Sequence, residues 1–188
     1  TIITRRLAQK MTFMVSDLQE DPIPTEQDLR DWHTAHPDRF TQPATLTFSH
    51  VYFSPNVHGA EASPAAETAL ARLSGFNPPD SATLGDPFML QRQYGDIPFR
   101  ELARQFGGAF AESLSTLPVS DDWQGPVASA YGVHLVQITK STPAKLSQFE
   151  DVAPEVRKDW LEQTRRDANE QAIQDIIARY EVVIEGLD

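Results

Sequence analysis

The sequence predicts an α+β fold: a small antiparallel or mixed sheet with surrounding helices, helices ahead of it and one long helix behind it. Three observations carry that prediction. Residues Ala44 to Phe53, ATLTFSHVYF, are dense in β-branched and aromatic side chains. Residues Gly125 to Ile138, GPVASAYGVHLVQI, read as two strands, Gly125–Ser129 and Val133–Thr139, joined at Ala130-Tyr131-Gly132. From about Ser147 to Arg179, Val152, Val156, Trp160, Ala168, Ala172 and Ile176 form one stripe of a long amphipathic helix.

The remaining elements follow in chain order. Ile3, Leu7, Met11, Met14 and Leu18 recur at steps of three and four, predicting a helix from about Thr4 to Leu18. Thr25 with Asp28 three residues on has capping-box chemistry, opening a helix from Glu26 to about Thr34 that stops near His36-Pro37. In the Ala44–Phe53 strand, Leu46, Phe48, His50 and Tyr52 share one face, with Val51 and Phe53 on the other. A helix over Ala62–Leu73 tolerates Pro64 in its first turn. Gly75 to Pro87 is proline- and glycine-rich and reads as a loop, with Phe88 to Leu90 as a short strand. Pro98 to Leu117 is helical with a break near Gly107-Gly108, and Tyr180 to Ile184 reads as a terminal strand. These elements divide the chain into a helical flank over 1–43, a central domain over 44–141 and a C-terminal helix and strand over 142–188.

Composition narrows the function. With 188 residues, 40% hydrophobic and 23% charged, the chain has the material for a real core. A net charge of −11 with dispersed Lys and Arg speaks against nucleic acid as a partner. The absence of cysteine removes disulfides and thiol nucleophiles. No apolar run reaches the roughly 20 residues a membrane-spanning helix needs. The start at Thr1 reads as a fragment or processed form, which leaves open a removed N-terminal region, export signal or membrane anchor. His33 and His36 are spaced for one helix face but lack the HExxH pattern, and no metal or other cofactor is expected. No G-x-S-x-G elbow and no phosphate loop is present.

Strand, helix, loop, helix and a hairpin ending in Gly-x-His followed by aliphatic residues is an order that resembles the parvulin (PpiC-type rotamase) peptidyl-prolyl isomerases. The resemblance covers about Ala44 to Thr139. His50 in FSHVYF is similar to the family's first histidine, Gly85-Asp86 to its glycine-aspartate pair, and Gly125-Pro126-Val127, Ser129 and Gly132-Val133-His134 to its closing hairpin. Phe106 and Phe110 resemble the two apolar side chains, four apart, of the family's proline pocket. Thr25–Phe40 and the long final helix resemble the flanks of exported bacterial chaperone-isomerases.

The resemblance implies an isomerase and foldase acting on proline-containing unfolded or partly folded polypeptides, in the periplasm or anchored to the membrane facing it. It implies His50, His134, Ser129 and Asp86 as catalytic residues, and Phe88, Phe106 and Phe110 as the substrate-binding wall. Taken singly, each histidine would read as a satisfied structural residue, Asp86 as a turn former before Pro87, and the two phenylalanines as core. The interval Ser74–Leu84 is short for the acidic or cysteine-bearing helix that active relatives carry, and Asp80 is its sole acid. That motivates a runner-up, a catalytically weak or inactive module serving as chaperone or protein-binding domain. Exposed apolar stripes on the first and last helices would also suit a homodimer contact.

Overall fold

The computed structural model describes residues 22–74 and 80–179. The expected helix over Thr4–Leu18 and the expected strand over Tyr180–Ile184 lie outside them. The described residues divide into two compact units, one of residues 22–41 with 146–179, the other of residues 42–145.

The first unit is helical. Helix α1 (Glu26–Ala35) opens on the expected capping box: the Thr25 hydroxyl accepts from the Asp28 N–H at 3.2 Å, and the Asp28 carboxylate accepts from the Thr25 N–H at 2.9 Å. Pro37 cannot extend α1 and instead starts a single turn, α2 (Pro37–Phe40). Both pack on helix α7 (Phe149–Arg179), with Leu29, Phe40 and Val156 at the centre and Trp32, Val152 and Trp160 around them. Asp159 of α7 accepts from the Trp32 indole at 2.8 Å and from Arg39 at 2.8 and 3.0 Å. His33 donates from Nε2 to the Ser147 carbonyl at 2.9 Å, and His36 from Nδ1 to the Trp32 carbonyl at 3.0 Å. Both histidines of this pair are therefore accounted for by backbone carbonyls.

The chain passes between the units through two short strands, β1 (Thr41–Gln42) and β6 (Lys145–Leu146). The second unit is built on an antiparallel sheet of order β3-β2-β5-β4, comprising β2 (Thr45–Phe53), β3 (Gln93–Pro98), β4 (Gln124–Ala128) and β5 (Val133–Thr142). The single turn α3 (Pro55–His58) and helix α4 (Ala62–Leu73) follow β2. Helices α5 (Phe99–Phe106) and α6 (Gly108–Thr116) lie between β3 and β4. Gly107, at φ 100°, ends α5 and begins α6, so the helical stretch breaks at the glycine pair as its sequence predicts.

Both faces of this sheet are buried. Leu46, Phe48, Tyr94, Ile97, Val136 and Ile138 pack against α5 and α6. Val51, Phe53 and Leu135 pack against Ala62, Ala66, Ala69 and Leu73 of α4. The two faces of β2 thus separate as the alternation predicts.

One expectation is corrected. Phe88–Leu90 is irregular, and the strand comes later, at Gln93–Pro98. That stretch contains Gly95, Asp96 and Pro98, residues poor in strands, and it is tolerated because β3 is an edge that pairs with β2 alone. Asp96, at φ 46°, sits where the β2–β3 register shifts.

Candidate active site

The register of the sheet places the two histidines. In the β2–β5 ladder Tyr52 lies opposite His134 and His50 opposite Val136, so the histidines are diagonal neighbours on one face. The hairpin closes through the Ser129 N–H donating to the Gly132 carbonyl at 2.7 Å. Gly132, at φ 154°, is needed there: a Cβ would lie 2.6 Å from Pro55 Cδ and 2.8 Å from the Phe53 carbonyl.

His50 and His134 are buried, at 2% and 0% exposure, with their Nδ1 atoms 3.0 Å apart. His50 Nε2 lies 2.9 Å from the Gln91 carbonyl, and Ser129 Oγ lies 2.7 Å from His134 Nε2. Ser129 Oγ also accepts from the N–H groups of Tyr131 at 3.0 Å and Gly132 at 3.3 Å.

These contacts fix every proton. A carbonyl only accepts, so His50 carries hydrogen on Nε2; burial disfavours its charged form, which leaves Nδ1 as a lone pair. His134 must then donate from Nδ1, leaving its Nε2 to accept from the Ser129 hydroxyl. The result is a directed chain: backbone N–H to Ser129, Ser129 to His134, His134 to His50, His50 to Gln91. Both imidazoles are neutral in it, because a second proton at the Nδ1–Nδ1 contact would set two donors against each other. Burial pushes His134 down to about 3, with the neighbouring His50 adding to the shift. Burial also lowers His50; the Gln91 carbonyl partly opposes that, and Arg92 adds to it.

An aromatic shell surrounds the pair. Phe106 and Phe110 stack on each other at 4.9 Å and 19°, with His134 at 5.7 and 5.2 Å from their ring centres. Though four apart, they belong to successive helices and meet across Gly107. Both are 0% exposed, so they form the support behind the imidazoles and offer no surface to a ligand in this conformation. Phe88 is half-buried and covers the histidines edge-on, 5.2 Å from His50 and 5.4 Å from His134. Tyr52 packs 4.7 Å from Phe88 and 5.1 Å from His134, and its hydroxyl donates to the Tyr131 carbonyl at 2.9 Å.

Asp86 is placed apart from this chain. Its carboxylate accepts from the Ser54 N–H at 2.6 Å and pairs with His58 Nε2 at 3.1 Å. The Asp86 N–H donates to the Tyr52 carbonyl at 2.7 Å. That approach requires Gly85, where at φ 73° a Cβ would lie 2.5 Å from both the Tyr52 carbonyl oxygen and Val51 Cγ1. Asp86 thus anchors the segment that carries Phe88. Asp80, the acid of the short interval, caps the Ser81–Thr83 turn by accepting from the Ala82 N–H at 2.9 Å.

Residues 24–154 match the model of the PPIC-type PPIASE domain. The chain belongs to this peptidyl-prolyl isomerase family. No curated protein matches it. Among solved structures, it is similar to a SurA-like chaperone of Campylobacter jejuni, from work on the virulence factor PEB4 and the periplasmic protein Cj1289. The two share 13% identity over 98% of this chain and 70% of the other, with a TM-score of 0.49. PrsA from Bacillus subtilis shares 18% identity over 95% of this chain and 62% of its own, with a TM-score of 0.29. The peptidylprolyl isomerase PrsA from Bacillus anthracis shares 14% over 94% and 72%, with a TM-score of 0.31. The chain therefore spans between 62% and 72% of the length of these proteins.

Within this PPIC-type domain, His50, His134, Ser129, Phe88, Phe106 and Phe110 meet in one cluster. Gln91, Tyr52, Tyr94 and Tyr131 join it without having been singled out in the sequence. Tyr52 and Tyr131 had a signal, being respectively two residues after one histidine and three before the other. Gln91 contributes only its backbone, which no side-chain pattern reports.

Proposed function

We propose that this isomerase domain accelerates cis–trans isomerisation of prolyl bonds in unfolded or partly folded polypeptides, as a foldase outside the cytoplasmic membrane. The observation that carries the proposal is the directed chain from Ser129 through His134 and His50 to Gln91. Rotation about a peptide bond breaks amide resonance, a barrier of about 18–20 kcal/mol. Left alone, a prolyl bond takes tens to hundreds of seconds. No bond to the substrate need form; the site must bind the twisted amide better than either planar form.

Two neutral, buried imidazoles are poor proton carriers at pH 7 but a rigid polar floor. Every donor and acceptor in the chain is committed, so the floor costs no reorganisation as the amide turns. Phe88 forms the wall that meets the proline ring, Asp86 positions it, and Phe106 and Phe110 hold the imidazoles from behind. A cleft of about 700 Å³ beside this cluster, lined by Met89, Leu90, Tyr94, Ile97 and Pro98 among others, takes the flanking chain of the client. Met89 at its rim is 80% exposed, an apolar contact suited to unfolded segments.

Placement outside the cytoplasmic membrane rests on the likeness of the flanking helices to those of exported chaperone-isomerases. No helix among the described residues is long and apolar enough to cross a membrane.

The test is the isomerisation rate of a proline-containing peptide, read through a protease specific for the trans form. Acceleration that scales with protein concentration is the expected result. A rate equal to the uncatalysed one at high protein concentration would sink the proposal.

A further inference from the structure

The hydrogens of the directed chain are all spent inside it, which raises the question of what meets the substrate. Ser129 gives its hydrogen to His134, and His50 gives its Nε2 hydrogen to Gln91. The Tyr52 hydroxyl donates to the Tyr131 carbonyl, whereas the Tyr94 oxygen faces the backbone N–H of Gln91 as an acceptor. Tyr94 and Tyr131 carry the hydroxyls of the aromatic shell that give no hydrogen within it. Of the two, it is Tyr131 whose ring stands against Phe88, the wall assigned to the proline ring. The side chain of Tyr131 is half-buried, and its hydroxyl has no hydrogen-bond partner among the described residues.

Tyr131 is nevertheless firmly held. Its N–H donates to Ser129 Oγ at 3.0 Å and its carbonyl accepts from Tyr52 at 2.9 Å. Its ring stands edge-on to Phe88 at 5.4 Å and 80°, and to Phe106 at 6.4 Å and 86°. A phenol hydroxyl is a donor as well as an acceptor.

We propose that Tyr131 is a further catalytic residue, whose hydroxyl donates a hydrogen bond to the prolyl nitrogen as the amide twists. This rests on the isomerase reading above and adds the group that touches the reacting atoms. In a planar amide the nitrogen lone pair is delocalised into the carbonyl and accepts no hydrogen bond. In the twisted amide the pair is localised on nitrogen and does. The bond therefore exists only near the transition state, the condition under which binding raises kcat. A donor aimed at the carbonyl oxygen would act the other way, since it stabilises the planar, charge-separated form. No proton is transferred and no bond to the substrate is made.

The deciding experiment compares the wild-type chain with Tyr131→Phe, which keeps the ring and both backbone bonds and deletes only the hydroxyl. Steady-state kinetics on a proline peptide should show kcat reduced by about tenfold, the effect of one hydrogen bond at its usual strength. KM and the thermal midpoint should stay unchanged. Wild-type-like kcat in the variant overturns the role of Tyr131 while leaving the isomerase reading intact. A rise in KM alone also overturns it, because the hydroxyl would then bind the ground state. So does a lowered thermal midpoint accompanying the loss, which would mark a packing role. A wild-type chain with no activity overturns both readings, and the wild-type rate alone shows that outcome.

Discussion

One face of the four-stranded sheet is covered by α4 through Ala62, Ala66 and Ala69; the other is covered by α5 and α6 through Leu102, Phe106, Phe110 and Leu114. The small residues bring a helix close to Val51, Phe53 and Leu135 and leave nothing polar to satisfy. The large rings on the opposite face enclose two imidazoles in surroundings dry enough to keep both neutral. No buried side-chain polar atom among the described residues lacks a hydrogen-bond partner, so the polar pair is fully provided for. The difference shows how one sheet serves two ends: α4 packs the scaffold, and the aromatic side shapes the site.

The largest expected effect comes from breaking the aromatic side. Phe106 is 0% exposed and touches both histidines, so Phe106→Ala should destabilise the sheet unit by about 3–5 kcal/mol. Urea unfolding reads the loss, and the fraction that stays folded should isomerise poorly. On the α4 side, Ala66 is also 0% exposed, and Ala66→Leu should cost about 1–3 kcal/mol by overpacking. There the folded fraction should keep its full specific activity, a contrast that sharpens the division between the faces.

A third expectation concerns pH. The folded-state values of both histidines lie below the unfolded value of about 6.5, so below that pH the unfolded chain binds more protons. Stability should therefore fall as pH drops from 6.5 toward 3. For His134 the slope approaches about 1.4 kcal/mol per pH unit below 6.5, and His50 adds to it in the same direction. Unfolding midpoints of the wild-type chain and of His134→Gln, measured across this window, check it. The variant should be less stable at pH 7 and flatter in its acid response. An equal slope in both would place the titrating groups elsewhere.

Much of this architecture was legible in the chain. The alternation in TLTFSHVYF put His50 on the same face as Phe48, because period-two geometry is local. The capping box at Thr25 and the break at Gly107 were readable for the same reason. His134 was joined to His50 only by the resemblance to the parvulin family, since the β2–β5 pairing is long-range. What the sequence withheld depends on distant partners. Gln93–Pro98 carries no strand signal, since its pairing with β2 overrides weak propensity. The burial of Phe106 and Phe110 follows from how α5 and α6 close over the sheet, which spacing alone does not report. The direction of the hydrogen-bond chain is set by the Gln91 carbonyl, 41 residues from His50.

That direction is the centre of the account, and nitrogen-15 NMR of the histidine side chains tests it most directly. The account predicts neutral imidazoles at pH 7, with His134 still neutral at pH 5, and with hydrogen on Nε2 of His50 and on Nδ1 of His134. An imidazolium signal from His134 near pH 6, or hydrogen on its Nε2, would contradict it.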